Sequence, residues 1–153
     1  MDLRNTDILA WQNALVENET QATTTVAEPP VSYNPRYKDN AIVKLTFEFA
    51  LSIWDLAEEL QEKRKYAVSN QLFRSGTAIG ALVREAQNGE SLADFIHKMK
   101  IALKEGDETE YWLLLCRARE INAAADCLEK LLPIIRILNR IISTSNSKLP
   151  IRK

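Results

Sequence analysis

From Ser91 to Ile121 the chain reads SLADFIHKMKIALKEGDETEYWLLLCRAREI, with no proline, a single glycine, and apolar residues returning every three or four positions. At ~1.5 Å per residue such a stretch makes a rod of roughly 45 Å. A rod of that length cannot bury its own apolar stripe, so the flanking segments must supply helices of similar length to pack along it.

They do so in pattern. Residues 39–64 place Val43, Phe47, Ala50, Trp54, Ala57 and Gln61 on one stripe, with Ile42, Ile53 and Leu60 beside it. Residues 68–88 align Val68, Leu72, Gly76, Ile79, Val83 and Ala86. Asn88-Gly89 ends that helix, and Ser91 caps the next with Asp94 three residues on as a capping-box-like partner. Residues 124–145, rich in Leu and Ile, predict a fourth helix that Pro133 should kink or break near Lys130. With short connections at 65–67 and 89–90, the expected fold is all-α: an antiparallel up-down-up-down four-helix bundle over 38–145. The tail 146–153 has no core pattern.

Residues 1–37 form an N-terminal extension of different character. Thr6 is placed to cap a short helix ending near Asn18, with Ile8, Trp11 and Leu15 on one face. A threonine-rich linker containing Pro29, Pro30 and Pro35 follows. Two readings stand side by side: a disordered tail, or a tethered docking helix that enters a groove on its own domain or on a neighbour.

Composition narrows the function. Of 153 residues 20 are Lys or Arg and 21 Asp or Glu, so the net charge of −1 gives no overall pull toward nucleic acid. Cys116 and Cys127 form no CxxC and read as reduced, packed residues. The N-terminus lacks the apolar core of a signal peptide, and no apolar run approaches the ~20 residues that span a bilayer. A soluble, cytoplasmic protein with no membrane partner is the expectation.

No catalytic centre emerges. A di-iron bundle needs two Glu-x-x-His motifs, and this chain has one histidine, His97, preceded at i−3 by Asp94. No GxxxxGK[ST], GxGxxG or GxSxG occurs. Cys116 and His97 would lie ~30 Å apart along one straight helix. No metal or cofactor is therefore expected.

Two surfaces stand out instead. Leu92, Phe95, Met99, Ala102, Leu103, Gly106 and Leu113 form the inner stripe of the third helix, whereas Ile101, Trp112 and Leu115 project to the opposite side near Tyr111. The outer face of the second helix carries Ala78 and Ala81 beside Arg74, Thr77 and Glu85. Ala78, Ala81, Ile101, Trp112 and Leu115 are thus a candidate oligomer interface; the alternative is scattered surface apolars or a helix buried all round. Gly106 suggests close approach of a neighbouring helix, and Glu110, Arg117 and Arg84 a buried polar layer. Arg64, Lys65, Lys98, Lys100 and Lys104 are candidate nucleic-acid contacts, against a solvated surface paired with Glu105, Asp107, Glu108 and Glu110.

The run QLFRSGTAIGALVREAQNGESLADFIHKMKIALKEGDETEYWLLL resembles the bacterial four-helix-bundle family first noticed in intervening sequences of large-subunit ribosomal RNA genes. The resemblance rests on Gln71–Ser75, the small residues up to Arg84-Glu85-Ala86, the helix start at Ser91–Phe95, and Glu108–Leu113. It covers roughly residues 38–145. Leu82 stands where the family usually has asparagine, and Gly106 where a larger residue is usual. The resemblance implies a left-handed bundle and ring-shaped homo-oligomers, commonly pentamers. It also implies kinship with the accessory variability protein of diversity-generating retroelements, a basic barrel that binds a reverse transcriptase and nucleic acid. No enzymatic activity goes with it. The leading expectation is a non-catalytic oligomeric adaptor accessory to a reverse transcriptase or RNA-processing partner. The alternative is a purely structural self-assembling bundle without nucleic-acid contact.

Overall fold

The computed structural model describes residues 39–149 together with Asn13 and Tyr37. Four helices follow one another: α1 (Ala41–Glu62), α2 (Tyr66–Ala86), α3 (Leu92–Ala118) and α4 (Ala123–Asn146). Packing runs α1 on α2, α2 on α3, α3 on α4 and α4 back on α1. With short turns between consecutive helices, this closes the expected up-down-up-down bundle. Ile8, Trp11 and Leu15 lie outside the described residues.

The core is aliphatic and closely filled. Ile53, Leu56, Leu60, Leu72, Ile79, Met99, Leu113, Leu131, Ile134 and Ile137 are essentially inaccessible. Polar side chains in it are satisfied locally. The Ser69 hydroxyl donates to the Ala57 carbonyl at 2.8 Å, and that of Thr46 to Ile42 at 2.8 Å. Between α2 and α3, the Thr109 hydroxyl lies 2.9 Å from that of Ser75.

The termini explain where each helix stops. Ser91 Oγ accepts from the Asp94 N–H at 3.1 Å, and Asp94 Oδ2 accepts from the Glu90 N–H at 3.2 Å, so the cap foreseen in the sequence forms with one residue's offset. At the end of α1 the Lys65 N–H reaches the Leu60 carbonyl at 2.8 Å, with Arg64 at φ 59°. At the end of α3 the Ile121 N–H reaches Cys116 at 3.1 Å, with Glu120 at φ 61°. Both are Schellman closures whose left-handed position is filled by a side chain other than glycine.

Four expectations are corrected. On α1 the buried stripe is Ile42, Val43, Thr46, Phe49, Ile53, Leu56, Ala57 and Leu60. Trp54 is 49% exposed and Gln61 is exposed, because the helix is turned so that Thr46, its hydroxyl bonded back to the backbone, takes a core position. Second, of the kink or break expected at Pro133, the break is absent: α4 continues through that residue. The carbonyl that proline leaves without its N–H belongs to the exposed Glu129, while Leu131, Ile134, Ile137 and Leu138 hold the helix to the core. Third, Gly106 is buried, yet a β-carbon there would meet Ile135 at an ordinary 3.5 Å. The close helix approach is instead at Gly76 and Gly80. Fourth, Arg117 is exposed and Glu110 half-buried, and the Arg84 guanidinium lies 4.5 Å over the Tyr37 ring, so no Glu110–Arg117–Arg84 layer fills the core.

Candidate functional site

The outer groove between α2 and α3 combines apolar surface with one ion-pair network. Arg74 on α2 hydrogen-bonds Glu108 on α3 through Nη2, and its Nη1 lies 3.7 Å from Glu105 Oε2. Trp112 Nε1 donates to the same Glu108 carboxylate at 3.3 Å. The Arg74 hydrogen bond pulls the Glu108 carboxyl below its ordinary range, and that bond in turn raises the guanidinium. Glu105 Oε2 is buried and accepts no hydrogen bond, leaving Arg74 as its neighbouring charge. The sequence suggested local pairing of this acidic run with Lys104. The observed partner comes from another helix, which i,i+4 spacing cannot reveal.

Around that network lie the candidate interface residues. Ala78 and Ile101 are half-buried and Ala81 is exposed. Trp112 is half-buried against the core, with Tyr111 edge-on to it at 5.4 Å. Leu115 is 41% exposed and Tyr111 57%. The five residues therefore share the α2–α3 side. A second aromatic pair, which the sequence pattern does not reveal because Trp54 falls on the apolar stripe, lies on the α1–α2 side: Trp54 and Phe73 meet edge-to-face at 5.1 Å.

The basic candidates do not form one patch. Arg64 and Lys65 are exposed in the α1–α2 turn, at the opposite end of the bundle from the start of α3. Lys98 lies 3.5 Å from Glu85 and turns toward α2. Lys100 and Lys104 are exposed and share a face at i,i+4 spacing.

Burial pushes the Cys127 thiol up to about 11 and the Cys116 thiol upward as well, so both stay protonated at neutral pH and are poor nucleophiles. Among the described residues no group of three or more His, Cys, Asp or Glu side chains is arranged to hold a metal ion. No helix among them is long and apolar enough to cross a membrane.

The family profile described as 23S rRNA-intervening sequence protein matches residues 38–144. The chain belongs to that family. Its match leaves residues 1–37 and 145–153 outside. A solved relative is described as a protein with unknown function from the S23 ribosomal protein family of Bacteroides thetaiotaomicron. It is 40% identical, superposes with a TM-score of 0.64, and the alignment covers 67% of this chain and 98% of that one. No curated protein matches the chain.

Proposed function

We propose that this member of the 23S rRNA-intervening sequence protein family is a non-catalytic, homo-oligomeric adaptor. It assembles through the α2–α3 face, in the closed ring of about five copies that its family resemblance implies, and supports an RNA-processing or reverse-transcriptase partner. The observation that carries the reading is that Leu115 and Tyr111 stay exposed beside Trp112, while the small residues Ala78 and Ala81 lie on the same α2–α3 side, about two to four helical turns away along the groove. Exposed apolar surface of this kind favours contact with another protein surface. Any RNA contact is electrostatic, with Lys100 and Lys104 as its centre and Arg64, Lys65 and Lys98 as separate outliers.

Light scattering of the purified chain with and without a structured ribosomal RNA fragment, at two salt concentrations, tests this. The adaptor reading expects an assembly in both salts and an added RNA mass at low salt that is lost at high salt. An assembly that never takes up RNA supports the purely structural bundle. A monomer under every condition contradicts both.

A further inference from the structure

The outward face of α1 changes character halfway along. Lys44, Phe47 and Glu48 lead at three- and four-residue spacing into Leu51, Trp54 and Glu58, so all six share one stripe. Leu51, Trp54 and Glu58 are exposed, as the side away from the core should be. Lys44, Phe47 and Glu48 are half-buried, and no residue from Ala41 to Ala50 is exposed. Helices α2 and α4 pack on α1, yet they leave this stripe open from Leu51 onward. The first half of the stripe is thus more covered than the second. The Glu48 carboxyl responds accordingly: burial raises its pKa, although Lys44 and Lys130 both draw it down.

At the head of the same helix, Asn13 makes a two-way bond. Its Oδ1 accepts from the Ala41 N–H at 2.8 Å and its Nδ2 donates to the Asp39 carbonyl at 2.6 Å. This satisfies one of the free N–H groups of the first turn, alongside Asn40, whose Oδ1 accepts from the Val43 N–H at 3.4 Å. The other end of the segment is also fixed. Tyr37 is buried, and its hydroxyl accepts from Asn88 at 2.6 Å.

We propose that the N-terminal segment of this chain occupies the covered half of α1, docked on its own bundle with Asn13 as the anchor, Trp11 over Lys44 and Ile8 over Phe47. The lengths agree. The stretch from Ile8 to Asn13 would span roughly 8 Å if helical, and Glu48 lies roughly 10 Å from Ala41. The stripe opens at Leu51, roughly 15 Å from Ala41. The contact is a helix-in-groove mode made effectively intramolecular by its tether. It adds a fifth element to the matched bundle and leaves the α2–α3 face free, so it stands or falls apart from the self-association reading.

Thiol labelling of the full chain tests the docking. Glu48→Cys and Leu51→Cys variants are exposed to a maleimide, and sites are resolved by peptide mass mapping so that Cys116 and Cys127 are kept apart. Glu48→Cys should label about tenfold more slowly than Leu51→Cys, and adding either Trp11→Asp or Asn13→Ala should remove most of that difference. Equal rates in the otherwise unchanged chain, or protection that survives both additions, would overturn the proposal. A Gln12→Cys/Lys44→Cys pair, which leaves Ile8, Trp11 and Phe47 in place, is oxidised after mixing isotopically light and heavy chains and identifies the occupant. Bridges within one chain are expected, and bridges between light and heavy chains would assign the segment to a neighbouring copy and overturn it.

Discussion

A β-carbon on Gly76 would lie 2.8 Å from both Cγ1 and Cγ2 of Ile53, so α1 and α2 meet through a bare α-carbon. One helical turn on, a β-carbon at Gly80 would lie 3.2 Å from the Thr46 carbonyl oxygen. Gly76→Ala should therefore destabilise the bundle by about 1–3 kcal/mol, overpacking outweighing the gain in helix propensity. Gly106→Ala should do the reverse, stabilising by about 0.5–1 kcal/mol, because its new methyl meets Ile135 at 3.5 Å. Urea denaturation of the two variants beside the parent chain checks both signs.

The long rod of α3, its Ser91 cap and the aliphatic stripe of α2 were legible because periodicity and capping are local. The face of α1 was not. Its true core position Thr46 looks polar until its hydroxyl is seen bonded to Ile42, and Trp54 looks like core until Phe73 is seen holding it at the surface. Pro133 predicts a kink or a break on local grounds, and packing of its neighbours carries the helix through without the break. In the candidate site, the outward placing of Leu115 followed from helix geometry, whereas the Arg74–Glu108 pair joins two helices and left no mark on either one's spacing.

The breaks near residues 65 and 122 are readable from the apolar pattern, but the form of the two turns is not: Arg64 and Glu120 take the left-handed position usually filled by glycine. Glu120→Gly should stabilise the fold by about 1 kcal/mol by relieving the β-carbon of that conformation. A rise in the thermal midpoint with unchanged helical circular dichroism is the expected result.

Burial of Cys127 makes stability fall in alkali. Its thiol is pushed up to about 11 in the fold, above the ordinary thiol range, so the folded chain holds its proton where the unfolded chain releases it. The contribution is full below the ordinary thiol pKa and is lost as pH rises toward about 11. Its size is about 2 kcal/mol. Cys127→Ala should lower stability at pH 7 through the lost volume, yet flatten the decline in unfolding free energy across that alkaline window.

Lys100 and Lys104 are the two basic candidates that share one exposed face. If RNA is held electrostatically, Lys100→Glu/Lys104→Glu should abolish its retention at low salt, while Arg64→Gln should weaken it only slightly. Filter-binding titrations across a salt series read both. Retention unaffected by the double change would remove this face from the account.

The most direct measurement is the mass of the assembled protein. Ala81 and Leu115 are exposed on the α2–α3 side, so charge can be placed there without disturbing the core. Multi-angle light scattering at micromolar concentration should give several copies, about five, for the unaltered chain. It should give one copy, with full helicity, for Ala81→Glu/Leu115→Glu. A monomeric unaltered chain, or an assembly that persists in the variant, would contradict self-association through this face.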